Sequence, residues 1–317
     1  MTLQEVYNYG TDTLKKAGIE NPSVDAFYLL EFASGCDRAK YLMFKDQQVN
    51  QINFNQYDAL IKKRAERIPY QYITGRANFA GLNFEVNQNV LIPRLDTEVL
   101  FENTLKVLGP ESYVLDLCTG SGCIGISLKR YRPDVRVVIS DISEEALKIA
   151  EHNIHHNHID VAEYDEGEPS NLTFGYDLKF GIRMIKSDLF EEMEAENKDA
   201  GAEFTGLFDV IVSNPPYVTE DEYEVLMPEV KNHEPKLALT AGKDGLDIYR
   251  RIISGINPDG TKCKSAKDFL KEEGTLIMEI GCSQAEAVKD LMISNGFKDV
   301  TVKKDMAGLY RVVAGKL

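Results

Sequence analysis

The sequence predicts an α/β fold, a doubly wound and mostly parallel sheet with helices on both faces, preceded by a small all-helical domain and a β-hairpin linker. Three observations carry that expectation. After Pro93, short apolar runs at 113–117, 135–140, 183–186, 208–213 and 274–280 alternate with helical patterns. Two further strand-like runs, 300–303 and 309–314, are joined by too few residues for a crossover helix, so they should form an antiparallel C-terminal hairpin. The first stretch, by contrast, carries only helical patterns. The expected domains are a helical domain over 1–73, a hairpin linker over 74–93 and the α/β domain over 94–317.

Each element has a local reason. Thr2 and Glu5 form a capping box ahead of Leu3, Val6, Tyr7 and Leu14. Asn21-Pro-Ser starts a second helix whose apolar positions Ala26, Phe27, Leu30 and Ala33 end at Gly35. A third amphipathic run over 57–68 turns Leu60, Ile61, Ala65 and Ile68 inward and Lys62, Lys63, Arg64 and Arg67 outward; that basic face is a solvated surface or a dock for an acidic or RNA-like partner. From Gly75 the stretch ANFAGLNFEVNQNVLIP alternates apolar and polar residues around Gly81, which suits a hairpin. Beyond it, the helix over 123–129 follows the first sheet strand, and Ser143 caps the next helix with Glu144 and Glu145 in its first turn. Two acidic stretches, 161–180 and 191–206, interrupt the alternation and read as surface insertions.

With 317 residues the chain is long enough for two cores, and 43% hydrophobic with 27% charged residues is ordinary for a globular protein. A formal net charge of −15 argues against whole-surface attraction to nucleic acid or anionic lipid. The five cysteines include no CxxC pair, so reduced thiols are the expectation and no metal site is. The histidine-rich helix end HNIHHNH puts His152 and His156 at ligand spacing without a carboxylate to complete a site, and reads as a helix terminus that welcomes positive charge. The start, MTLQEVYNYG, lacks a basic or apolar leader and no segment could span a bilayer, so the expected location is cytoplasmic.

The chemistry lies at strand ends. In VLDLCTGSGCIGISL a glycine-rich turn joins strand to helix; Gly120 and Gly122 let the backbone approach a ligand, and the helix start offers free N–H groups. The pattern is no Walker loop, and as a near-GxGxxG run it is weak by itself. Asp141 ends the next strand some twenty residues on, where a carboxylate can accept both ribose hydroxyls of a dinucleotide or of S-adenosylmethionine. Asp188, after the third strand, could accept from an adenine amino group. Three such features at successive strand ends outweigh the reading of each as a cap or a tight turn. After the fourth strand comes NPPY, Asn214 to Tyr217, where two prolines that cannot donate force the chain out of the sheet.

The run DLCTGSG, SDIS, SDLF and NPPY, in that order, resembles Class I (Rossmann-like) S-adenosylmethionine-dependent methyltransferases that modify planar amino nitrogens. LIPRLDTEVL is similar to the IPRPETE signature of bacterial-type release-factor glutamine methyltransferases, with Leu95 and Asp96 in place of the usual Pro and Glu. RIPYQYITGRANFAGLNFEV and the terminal KDMAGLYRVVAGKL resemble that family too, so the likeness spans the helical part to the C-terminus. It implies S-adenosyl-L-methionine as cofactor, held by Cys118, Thr119, Gly120, Ser121, Gly122, Asp141, Asp188, Leu189 and Asn214, with Asn214, Pro215, Pro216 and Tyr217 catalytic and no metal. The implied partner is a peptide-chain release factor, methylated on the glutamine of its Gly-Gly-Gln loop, with no membrane and no direct nucleic acid required. A ribosomal-protein glutamine and an adenine N6 in DNA or RNA are the alternatives; the second would call for a basic recognition domain.

An amide nitrogen is a poor nucleophile because its lone pair is delocalised into the carbonyl. Two acceptors gripping its hydrogens, the Asn214 side-chain oxygen and the Pro215 carbonyl, would orient it and favour tetrahedral character, while the prolines preorganise the turn and Tyr217 offers a flat face. The PRLDTE segment would line the pocket wall, with Arg94, Asp96 or Glu98 available to hold the substrate loop.

Overall fold

The computed structural model describes residues 1–159, 181–193 and 207–317, so most of the two acidic stretches lies outside the described residues. The chain divides into two compact units, Met1–Arg76 with Leu226–Glu234, and Ala77–Val225 with Pro235–Leu317.

The first unit holds α1 (Leu3–Lys16), α2 (Pro22–Ser34), α3 (Arg38–Phe44), α4 (Gln51–Ala65) and α5 (Tyr70–Thr74). The capping box at Thr2 forms in both directions, and α2 opens on its proline and closes on Gly35 at φ 66°. Val6, Leu14, Leu29, Leu30, Tyr57 and Ile61 are buried together; fully burying such a side chain is worth about 1.5–3 kcal/mol. Gly10 lets α1 approach α4: a Cβ there would stand 1.8 Å from the Tyr57 hydroxyl oxygen. That hydroxyl donates to the Ala26 carbonyl at 3.1 Å, which satisfies the one polar atom of a fully buried ring.

One side chain turns the other way from its expected face. Arg64 is buried rather than outward, its Nε donating to Asp25 at 2.7 Å and its Nη2 to Glu229 at 3.1 Å, with Arg67 also on Glu229 at 3.2 Å. A helical period assigns every charge to solvent. It cannot anticipate carboxylates arriving from α2 and from a segment 165 residues away.

The second unit begins at the hairpin of β1 (Arg76–Phe79) and β2 (Leu82–Glu85) and continues through α6 (Leu95–Val107), β3 (Tyr113–Leu117), α7 (Cys123–Tyr131), β4 (Arg136–Asp141), α8 (Glu144–His156), β5 (Ile182–Lys186) and β6 (Phe208–Ser213). After α9 (Glu220–Glu224) the chain lends α10 (Pro228–His233) to the first unit. It then completes the sheet through α11 (Asp247–Ser254), β7 (Leu270–Glu279), α12 (Ala285–Ser294), β8 (Lys298–Lys304) and β9 (Tyr310–Lys316).

The seven-stranded sheet has the order β5-β4-β3-β6-β7-β9-β8. β3 to β7 pair in parallel, β8 and β9 pair antiparallel as their short connection required, and β9 also runs antiparallel to β7. Successive residues of β3 face opposite sides: Val114 belongs to one core with Ile126, Leu147 and Leu100, while Leu115 belongs to another with Tyr249, Ile252 and Met292. β7 starts at Leu270, four residues before the apolar run, because Leu270 pairs with Phe208 across a register shift before Thr275 joins Val210. The charged stretch Lys-Glu-Glu-Gly thus hides strand residues. Chain order leaves β3 for β4 and β5 on one side and returns to β6 on the other, a switch point that opens a crevice beyond the carboxyl ends of β3 and β6.

Candidate active site

Leu117 and Ser213 are register partners at the ends of β3 and β6, so Cys118 and Asn214 leave the sheet side by side at the switch point. A cavity of about 240 Å³ opens there. Its lining includes Cys118, Thr119, Gly120, Ser121, Asp141, Asp188, Leu189, Asn214 and Pro216; Gly122, Pro215 and Tyr217 lie outside that lining.

The glycine-rich turn is held from beneath by Asp116, which is fully buried and accepts from the Thr119 hydroxyl at 2.6 Å and the Gly125 N–H at 2.8 Å. Burial raises its pKa to about 7 against the pull of those two donors. Gly122 sits at φ 80°, and a Cβ there would meet Ile126 at 2.6 Å. Gly120, at φ 55°, has nothing within 4 Å of the position a Cβ would take, so space for a close-lying ligand remains above it. Cys118 and Leu189, at φ 61° and 54°, are non-glycine residues in left-handed conformation at strand ends facing the cavity. Burial pushes the Cys118 and Cys123 thiols up, so neither is a thiolate nucleophile near neutrality.

Asp141 accepts from the Gly120 N–H through Oδ2 and the Ser143 N–H through Oδ1, both at 2.9 Å. Its pKa is raised by burial, against the opposing donors of Ser143, Gly120 and Ile142. Asp188 shares the cavity wall, where its Oδ1 meets Nη1 of Arg251 at 2.9 Å. The Ser121 hydroxyl oxygen is buried without a partner.

The NPPY turn is fastened at several points. Asn214 donates from Nδ2 to the Thr97 hydroxyl at 3.2 Å, and Ser213 donates to the Leu117 carbonyl at 2.7 Å. The Tyr217 hydroxyl donates to Glu279 at 3.1 Å, and its carbonyl accepts from Gln284 at 2.9 Å. Burial and the neighbouring Glu279 carboxylate raise the Tyr217 pKa, so the ring stays neutral.

In the PRLDTE segment, Arg94 and Thr97 line the cavity. Asp96 is paired with Arg311 of β9 at 2.8 Å, and Glu98 accepts from the Ala80 N–H of the hairpin at 2.8 Å. Those two carboxylates therefore hold the domain's own parts together, where the sequence reading offered them to a substrate loop. Thr97 entered that reading only as part of the segment expected at the pocket wall, and Glu279 and Arg251 escaped it. Glu279 had a usable signal, since it ends a sheet strand as NPPY does; Arg251 had none. Among the described residues no group of histidines, cysteines and carboxylates is arranged to hold a metal, and no helix is long and apolar enough to cross a membrane.

Comparison with known proteins agrees with this layout. The PrmC N-terminal domain matches residues 5–75, and the methyltransferase small domain matches residues 93–178. A release factor glutamine methyltransferase of Clostridium acetobutylicum is 34% identical over 99% of this chain and 98% of its own length. That of Geobacter sulfurreducens is 33% identical over 100% of this chain and 97% of its own. Among solved structures, the catalytic domain of hMettl16, in complex with a 3'UTR hairpin, aligns with a TM-score of 0.50 over 81% of this chain and 80% of that one. At 16% identity that likeness shows the shared fold alone. A parallel sheet closed by an antiparallel pair, a glycine-rich turn facing NPPY across its switch point, and end-to-end similarity at one-third identity lead to one assignment: the chain belongs to the release factor glutamine methyltransferase family.

Proposed function

We propose that the protein transfers the methyl group of S-adenosyl-L-methionine to the side-chain amide nitrogen of the glutamine in the Gly-Gly-Gln loop of peptide-chain release factors. The observation that carries the reading is Asn214: its side chain lines the same cavity as the glycine-rich turn and Asp141, and it is pinned through its nitrogen, which leaves its oxygen to accept. The full-length relatives that bear the name of this reaction support it.

The residues present fit the cofactor. Gly120 leaves room where a side chain would intrude, Ser121 offers an unused hydroxyl, and Asp141 keeps lone pairs beyond the two N–H bonds it accepts. Asp141 would take the ribose hydroxyls. Asp188, with Oδ1 on Arg251, would offer Oδ2 to the adenine amino group, with Leu189 beside the ring. Bound there, the cofactor supplies an electrophilic methyl on a sulfonium. The protein's part is orientation: the Asn214 side-chain oxygen and the Pro215 carbonyl accept the two amide hydrogens of glutamine, so that the nitrogen presents its lone pair to the methyl. Pro216 stiffens the turn, and Tyr217, held by Glu279, supplies a planar wall.

Glycines flanking the target let its backbone enter a narrow opening. The helical domain recognises the protein partner and takes no part in methyl chemistry. The reaction is cytoplasmic, where translation terminates, and needs no direct nucleic acid. Labelled S-adenosylmethionine should mark a release factor, but neither its Gln-to-Ala loop variant nor duplex DNA. Labelled adenine in the DNA arm would move the assignment to an adenine-N6 methyltransferase.

A further inference from the structure

Arg251 comes to the cavity from α11. Tyr249, Ile252 and Ile253 of that helix are buried in the core, and the Tyr249 hydroxyl donates to the Glu279 carbonyl at 2.8 Å. Ile248 and Arg251, three residues apart, share a helix face, and both line the cavity. Nη1 of Arg251 meets Oδ1 of Asp188 at 2.9 Å; the arginine side chain is 14% exposed and the aspartate side chain 40%. The cation thus lies deeper than the carboxylate it holds.

The backbone around Asp188 is fixed by other contacts. The Ser187 N–H donates to the Asp141 carbonyl at 3.0 Å, and the Asp188 N–H donates to the Glu192 carboxylate at 2.8 Å. Further along the same loop, Lys264 donates from Nζ to the carbonyls of Glu191 and Met193, both at 2.7 Å. The turn that carries Lys264 is tied back to the end of α11 by the Cys263 N–H, which donates to the Gly255 carbonyl at 2.9 Å. The freedom left at Asp188 is the rotation of its carboxylate, a broad torsion in aspartate, and Arg251 removes it by holding one oxygen.

That orientation bears on which base the cavity accepts. A carboxylate only accepts hydrogen bonds. An adenine edge offers an amino donor at position 6 and an acceptor at N1. A 6-oxopurine offers the reverse, an acceptor at position 6 and a donor at N1. A carboxylate free to turn could meet either donor. One pinned through Oδ1 keeps its second oxygen in a single place and meets only the donor it faces.

We propose that Arg251 is the positioning residue that makes the site selective for a 6-aminopurine cofactor, by holding the Asp188 carboxylate in one orientation. The inference deepens the function proposed above and rests on its placing of the adenine amino group at Asp188. Arg251 acts through Asp188 and needs no contact with the base.

Calorimetric titration of the full chain with two ligands provides the test. They are S-adenosyl-L-homocysteine, the product left after methyl transfer, and its 6-oxo analogue S-inosyl-L-homocysteine. The parent chain should bind the adenosyl ligand about 10- to 100-fold more tightly, the factor that one hydrogen bond to a charged group carries. In Arg251→Met the two affinities should come within about threefold of each other, because the freed carboxylate turns to the N1 donor. A cavity merely loosened would weaken both ligands alike, so a parent-like ratio in folded Arg251→Met overturns the proposal. Asp188→Asn carries an independent expectation. Arg251 only donates, so it takes the amide oxygen and turns the NH2 group toward the base, where it suits a 6-oxo group. The preference should then reverse, the inosyl ligand binding at least about threefold more tightly. An unpinned amide would turn to suit either base. A ratio near one in Asp188→Asn, or a retained preference for the adenosyl ligand, also overturns the proposal, and this variant decides alone should Arg251→Met fail to fold. A parent chain that binds both ligands alike leaves the cofactor reading standing and overturns the selectivity; one that binds neither overturns both.

Discussion

Asp141 serves the loop and the cavity at once, since its two oxygens order the Gly120 and Ser143 N–H groups while still facing the cavity. Asp141→Ala should therefore weaken S-adenosylmethionine binding by about 1.5–3 kcal/mol for each ribose bond lost. Calorimetric titration measures this, and an unchanged Kd would remove Asp141 from the site. Asn214→Ala should behave differently: cofactor affinity stays within about twofold while kcat falls by at least about 100-fold, since its contact matters in the transition state. Normal turnover on the release factor would discard the amide grip. Both residues were legible because they end strands and carry the polar groups that a nucleoside or a planar amide needs. Arg251 was not, because an arginine on a helix reads as a solvated charge until Asp188 is seen across from it.

At the scale of the element, two of the parallel strands carry a buried acid at or next to their carboxyl ends: Asp116 of β3 holds the turn that follows it, and Glu279 of β7 accepts from Tyr217 in the loop after β6. Asp116 and Glu279 both have pKa values raised to about 7, burial being the first cause in each. The sign follows from linkage: a carboxyl that binds its proton more tightly when folded adds stability below the ordinary carboxylate pKa and loses it as pH rises through about 7. The urea midpoint of the ligand-free protein should fall between pH 5 and pH 8, and less steeply in Glu279→Gln than in the parent chain. An equally steep fall in both would mean that Glu279 is already ionised at pH 5. The strand positions were readable from apolar runs to within a few residues. The exception was the start of β7, where register with Phe208 recruits charged residues that no pattern marks as strand.

For the whole molecule, the notable event is the loan of Leu226–Glu234 to the helical unit, shortly after NPPY in the chain. Glu229 is tied there by Arg64 and Arg67, and burial, which alone would raise its pKa, is overcome by its own N–H and those arginines. Asp25 is pushed up by burial and pulled back by Arg64. Removing the shared partner leaves two buried carboxylates without it, so Arg64→Ala should cost about 3–5 kcal/mol. The loss should show in the first transition of urea unfolding followed by circular dichroism. A change below about 1 kcal/mol would mean that the cluster is solvated and contributes as a surface pair does.

What the sequence determined by itself was whatever rests on local rules: caps, turn glycines, apolar periods, the direction of the last strand pair, and the motifs whose spacing places them at strand ends. Each depends on residues a few positions apart, so the chain order suffices. The tertiary structure alone decided which charges found partners. Arg64 met Asp25 and Glu229, Asp96 met Arg311, Asp188 met Arg251, Asn214 met Thr97 and Tyr217 met Glu279. Those groups are brought together by strand order and helix packing. A buried polar side chain takes its role from the one neighbour that satisfies it, and that neighbour is chosen in space.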